Sequence, residues 1–288
     1  MKQDPRTIID ITQDPGLSRE YVMSVVNPIK GLPKLPKYHW KASPPDSRDI
    51  PYTLLDTTTP LPATVDLRPY ASPIDDQGNL GSCTGNACAG AIDLMDKKRY
   101  NRNTRVSRLF IYYYERLLEG TVNYDSGAYV RDAIRATYTY GAPLETLWPY
   151  NINAFKTRPS NAAIADAATR KVTQYMSVAN HAACLNALAN GYPVLIGFTV
   201  YSSFESGNWW QQSGSGLMPY PNTTRESVLG GHCVLLVGYD NTHNYYIVRN
   251  SWGTSWGKGG YFYMPYQVIQ NSSMSSDFWA IELANDPN

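Results

Sequence analysis

The sequence predicts an α+β protein of two lobes, helical first and antiparallel β second, behind an extended leader. Three observations predict this. Prolines crowd residues 1–60, helical patterns fill 83–139, and apolar runs separated by turn residues take over from residue 193. A chain of 288 residues can bury two cores. The expected divisions are a leader at 1–60, a helical lobe at 61–175 and a β-rich lobe at 176–288.

Pro33, Pro36, Pro44, Pro45, Pro51 and Pro60 remove backbone donors, so the leader should run mostly extended. A short helix fits 18–26, where Ser18 could cap and Asn27-Pro28 would stop it. The first strong helix is 83–100, with Ala87, Ala91, Leu94 and Met95 on one side and Lys97, Lys98 and Arg99 in its last turn. Small residues at its start imply a buried helix with close neighbours. Further helices are expected at 107–119 and 128–139, the second closed by Gly141 and Pro143. A short helix at 181–190 stops at Gly191, and a strand follows at 193–201. Residues 231–239 form an apolar strand, Asp240 to Asn244 reverse the chain, and 245–250 return beside it. Residues 261–264 make one more strand.

Composition narrows the function. Lys plus Arg number 25 against 24 Asp plus Glu, a net charge of +1, which offers no field for nucleic acid or an anionic membrane. The amino terminus has no apolar stretch of signal-peptide length, and no later run approaches a membrane span. Cys83, Cys88, Cys184 and Cys233 form neither a disulfide framework nor a C-x-x-C pair. Free thiols fit a reducing compartment, so a cytoplasmic location is expected, with unconventional export as the alternative. No metal or organic cofactor is implied, and a monomer is expected.

The chemistry concentrates at Cys83, which follows Gln77-Gly78-Asn79-Leu80-Gly81-Ser82 at the junction of a glycine-containing loop and a helix. Helix N-terminal N–H groups and the macrodipole stabilise an anion there, so the thiol pKa should fall and a nucleophilic thiolate should appear near neutral pH. The competing reading is a buried structural cysteine. His232, behind Gly230-Gly231, heads the apolar strand, where a lone histidine is more often structural. Asn250 opens Asn250-Ser251-Trp252-Gly253 at the end of the returning strand. Paired strands would bring the imidazole and the amide together, and the amide oxygen would fix the ring's tautomer.

These blocks, in this order, resemble the papain family of cysteine peptidases. The resemblance runs from Leu61 nearly to the end, beginning with Leu61-Pro62-Ala63-Thr64-Val65-Asp66-Leu67-Arg68, which looks like the mature amino terminus of these enzymes. It implies a papain-like fold: a helical left lobe, an antiparallel β-barrel-like right lobe, and an active-site cleft between them. It further implies a peptidase working through a thioester, with Cys83, His232, Asn250 and Gln77 catalytic. Gln77 would donate to the oxyanion together with the backbone N–H of Cys83. Gly127, Gly197, Gly231 and Trp252 are the substrate-binding candidates. Gly127 would pair with an extended substrate, although a plain turn glycine is the alternative. Gly197 and Cys233 would leave room for a bulky apolar side chain at the second residue upstream of the cleaved bond. Trp252 would cover the His232–Asn250 bond, and Trp256 would pack nearby as ordinary core.

Two positions depart from the family. Leu80 stands where a disulfide-forming cysteine usually braces the loop, and Thr84, followed by Asn86, stands where an aromatic usually follows the nucleophile. The bracing and shape of the site therefore have to come from elsewhere. The leader lacks the family's long helical prosegment. It is expected to cross the cleft and act as an intramolecular inhibitor of a zymogen, the alternative being a loose tail. Protein or peptide is the expected substrate. An acyltransferase or ligase would use the same three residues, and a binding-only protein would not need all of them.

Overall fold

The computed structural model describes residues 38–54 and 60–283; the helix expected at 18–26 lies outside them. Among the described residues, four α-helices lie between residues 83 and 167. They are α1 (Cys83–Tyr100), α2 (Arg108–Leu118), α3 (Val130–Thr139) and α4 (Asn161–Ala167). Ser107 caps α2 by accepting from the Phe110 N–H at 3.1 Å, and Asn101 closes α1 in the left-handed conformation (φ 54°) above its basic last turn. Residues 83–96 of α1 are buried on every side, as its small residues led one to expect. A Cβ on Gly90 would lie only 3.1 Å from Arg249 Nε, which is how closely α1 approaches the strands.

All the strands of the described residues belong to one antiparallel sheet. Its members are β1 (Thr64–Asp66), β2 (Val172–Ser177), β3 (Val194–Tyr201), β4 (Val228–Asp240), β5 (Tyr245–Arg249), β6 (Tyr261–Pro265) and β7 (Ser275–Leu283). Their order is β2-β7-β3-β4-β5-β6, with β1 also on β4, and the sheet does not close on itself. Three short helices join them: α5 (His181–Ala189), α6 (Ser202–Glu205) and α7 (Tyr266–Gln270). The strands anticipated around 231–239 and 245–250 are β4 and β5, and their register pairs Leu235 with Arg249. That register places Asn250, the next residue, beside the stretch of β4 that carries His232.

Strands β2 and β7 carry no expectation from the sequence. β7 is the bridge of the sheet, paired with β2 on one side and β3 on the other. The core joins α1 to the sheet through residues such as Cys88, Leu94, Leu195, Phe198, Leu235 and Val248. Burying side chains of this size contributes about 1.5–3 kcal/mol each, which fixes the start of α1 against β4.

Residues 38–54 lie on this body rather than apart from it. His39 bridges Gly231, Lys41 bridges Tyr129, and Pro51 bridges Ser177. Residues 38–54 thereby form a strap across it.

Candidate active site

The site forms where the first turn of α1 meets the strands. His232, fully buried, is 2.8 Å from the Asn250 Oδ1 through Nε2, the bond anticipated from the strand pairing. Asn250 Oδ1 also accepts the Ser251 N–H at 2.9 Å, which stops the amide from rotating. Trp252 stacks on the imidazole with centroids 4.8 Å apart at 23°, and Phe198 meets its edge at 5.8 Å. Asn250 engages His232 through Nε2, so Nδ1 is the ring nitrogen outside that bond.

Gln77 reaches this group through Ser251. Its Oε1 accepts from Ser251 Oγ at 2.6 Å, its Nε2 donates to the Leu80 carbonyl at 3.0 Å, and its own N–H donates to the Ser251 carbonyl at 2.8 Å. The segment preceding it is clamped by Arg249, which donates to the carbonyls of Ser72 and Pro73, the latter at 2.8 Å. Gln77, the expected oxyanion donor, and Asn250, the histidine's partner, are thus held by one strand junction. Gln77→Ala is expected to lower kcat by about 10²–10³-fold with little change in KM, because it removes a donor that matters in the transition state. Steady-state kinetics of the variant check this, and a change confined to KM would contradict the role.

The missing disulfide is replaced by packing. Leu80 is buried in a small cluster with Leu109 and Tyr112. The Gly81 N–H donates to both Asp125 carboxylate oxygens, at 3.0 and 3.1 Å. Asn86 donates to the Ser82 carbonyl at 2.9 Å and accepts from Arg108 at 3.1 Å. Thr84, in place of an aromatic, donates to Glu115 at 2.6 Å inside the core, where burial holds that carboxyl well above its ordinary pKa. All four cysteines are free.

One expectation fails. The Cys83 thiol, placed at the α1 N-terminus as foreseen, has its pKa raised from 9.0 to about 12. Burial is the main cause, since Cys83 is fully enclosed and a buried thiolate loses its hydration. Backbone N–H groups of Cys233, Thr84 and His39 oppose the rise without cancelling it. The helix-terminal stabilisation is outweighed by burial in the core, and the strap shares in that enclosure with the His39 N–H against the sulfur.

The substrate-binding candidates sit under the same strap. A Cβ on Gly127 (φ 65°) would lie 1.9 Å from the His39 carbonyl oxygen, one on Gly197 would lie 1.9 Å from Trp40 Cε2, and one on Gly231 would lie 2.5 Å from the Trp40 carbonyl oxygen. Trp40 N–H donates to the Gly231 carbonyl at 2.9 Å. Tyr38 packs edge-on against His232 and Trp252, with centroids 6.0 and 5.8 Å away, and its hydroxyl bonds Glu205. Trp256 joins Trp252, Phe204 and Phe262 in an aromatic cluster.

The sequence reading missed Ser251, Tyr150, Asp125 and Asp277. Ser251 lies within the quoted Asn-Ser-Trp-Gly block and was the most accessible of them. Tyr150, whose hydroxyl donates to the Gln77 carbonyl at 2.9 Å, has no local signal at all.

A family model described as papain family cysteine protease matches residues 61–280. The chain belongs to that family. A protein of Acanthamoeba polyphaga mimivirus named as an uncharacterized peptidase C1-like protein is 38% identical over 224 residues, which is 74% of this chain and 70% of the relative. Cysteine proteinase 3 of Entamoeba histolytica is 28% identical over 206 residues, 70% of this chain but only 62% of that protein. Among solved structures, xylellain, a cysteine protease from Xylella fastidiosa, superposes with a TM-score of 0.78 at 37% identity, covering 88% of this chain and 98% of xylellain. The papain-family chain described here thus has the α+β architecture its motifs implied.

Proposed function

We propose that the protein hydrolyses peptide bonds through a Cys83 thioester, and that its own strap holds it as a zymogen. The observation that carries this reading is the strap's course over Cys83, from Tyr38 at His232 and Trp252 to Trp40 at Gly197.

The chemistry follows from the contacts. His232 Nδ1 takes the Cys83 proton as sulfur attacks the carbonyl carbon. The carbonyl oxygen becomes an oxyanion, met by the Gln77 side-chain N–H and the Cys83 backbone N–H. His232, now protonated and held by Asn250, gives its proton to the leaving nitrogen as the C–N bond breaks. Water then attacks the thioester, His232 takes its proton, and the C–S bond breaks to release acid and free thiol.

The leaving nitrogen must lie on the His232 side. A substrate therefore runs, amino to carboxyl terminus, from the Gly197 wall toward Trp252. The strap runs the opposite way, with Tyr38 at Trp252 and Trp40 at Gly197. Its peptide groups are thereby presented backwards to sulfur and oxyanion donors. An extended chain in this direction fills the cleft without being cut.

Transfer to an amine would use the same thioester, and product analysis separates the two outcomes. Strap-free enzyme turning over a peptide ester in the presence of a competing amino acid amide should release the free acid as its main product, read by mass spectrometry. Amide product in excess of acid would overturn hydrolysis in favour of transfer.

A further inference from the structure

Trp40 enters a slot that exists because two strands carry glycine. A Cβ on Gly197 would lie 1.9 Å from its Cε2, and one on Gly231 would lie 2.6 Å from its Cε3. Gly197 pairs with Cys233 across β3 and β4, so that side of the slot is lined by small residues. At the far end stands Asp277, in β7 but with a left-handed backbone (φ 66°). Such conformers persist where the surroundings enforce them, and they gather at functional positions.

The carboxylate is divided between two tasks. Oδ1 accepts from the Trp279 indole at 2.6 Å, which belongs to the body. Oδ2 accepts from Trp40 Nε1 at 3.2 Å, from the Ser43 N–H at 3.0 Å and from Ser43 Oγ at 2.9 Å, all on the strap. When a substrate replaces the strap, Oδ1 stays clamped while Oδ2 has lost those three donors and faces the slot. Charge decides what kind of donor fits. Arg131 lines the cavity next to this slot together with Asp277 and is held by Asp49 of the strap at 2.8 Å. It keeps a positive charge on the same wall, which balances the carboxylate and favours a neutral donor over a second cation.

Resting on the peptidase reading, we propose that Asp277 is a specificity-determining residue. It selects, as the second residue upstream of the cleaved bond, an aromatic side chain bearing a hydrogen-bond donor at its far end, tryptophan first. Trp40 is the strap's own copy of that side chain.

The test starts from the folded full-length chain, nicked by limited proteolysis between the strap and β1 and separated from the strap, with removal checked by mass. Fluorogenic peptides differ only at the second upstream residue: tryptophan, its isostere benzothienylalanine with sulfur in place of N–H, phenylalanine or arginine. Tryptophan should exceed benzothienylalanine in kcat/KM by about 10-fold or more, as expected for a bond to a charged acceptor. Asp277→Asn should reduce this ratio to a few-fold. Asp277→Gly, which accepts the left-handed backbone, should bring it to about one. Taking the ratio within each enzyme cancels any general loss of activity.

Equal rates for tryptophan and its isostere, a preference for arginine, or a ratio that survives in Asp277→Gly would overturn the proposal. Failure to cleave any of the four counts against the peptidase reading instead. A binding measurement then still decides the role of Asp277. A peptide of residues 38–54 should bind the strap-free protein about 10-fold tighter with tryptophan at position 40 than with benzothienylalanine, and equal affinity would refute it.

Discussion

Alkylation of Cys83 by iodoacetamide at pH 7 will run at least about 10³-fold slower in the intact chain than after the strap is removed. The lower bound comes from ionisation alone. Raising the thiol from 9.0 to about 12 removes about 10³ of its thiolate, and the thiolate is the reacting species. Exclusion of the reagent adds to this, since Cys83 has no exposed surface beneath the strap. Removing the strap also restores the helix-terminal stabilisation that burial overrides, so the freed thiol should titrate below 9.0. The sign of the pH dependence follows from the raised value. The covered state favours the neutral thiol, so its share of the strap's hold is complete below the freed thiol's pKa. That share is lost as pH rises from there toward about 12. Mass spectrometry of the labelled peptide against time measures both rates, and equal rates with and without the strap would refute the covering role.

Cys83→Ala will lower kcat of the strap-free enzyme by about 10⁶-fold, the scale on which loss of a protease nucleophile is felt. No neighbouring thiol can replace it. Cys88 and Cys184 are buried, and burial pushes both thiols up, Cys88 to about 12; burial pushes Cys233 up as well. The fold should survive, because the change removes one buried sulfur at the cost of a cavity on the order of 1 kcal/mol. For a chain of this size that lowers the melting temperature by about 2–4 °C. Residual activity above about 1% in a correctly folded variant would exclude Cys83 as the nucleophile.

The candidate catalytic residues were legible because their chemistry restricts residue type and local setting. A thiol at a helix start, a histidine heading an apolar strand and an amide at the end of its return partner can be found without coordinates. The helices at 108–118 and 130–139 were legible for a similar reason, since caps, glycine stops and spacing are local signals. Strand β7 was not. Its role as the bridge between β2 and β3 comes from partners about 80 to 110 positions earlier in the chain, and its Asp277 breaks the regular strand pattern.

From residue types and local setting alone come the candidate reacting groups: the sulfur of Cys83, the imidazole of His232, and the amides of Asn250 and Gln77 expected to orient and assist them. The prolines of residues 1–60 likewise led to the expectation of an extended leader. The tertiary structure decided whether those atoms are available and how they are held. The loop that usually depends on a disulfide is braced by Leu80 packing and by Asp125, contacts between segments far apart in sequence. The thiol that its helix should have ionised is held neutral, because the acidity of a group depends on its solvation and burial, in which the strap shares, takes that solvation away.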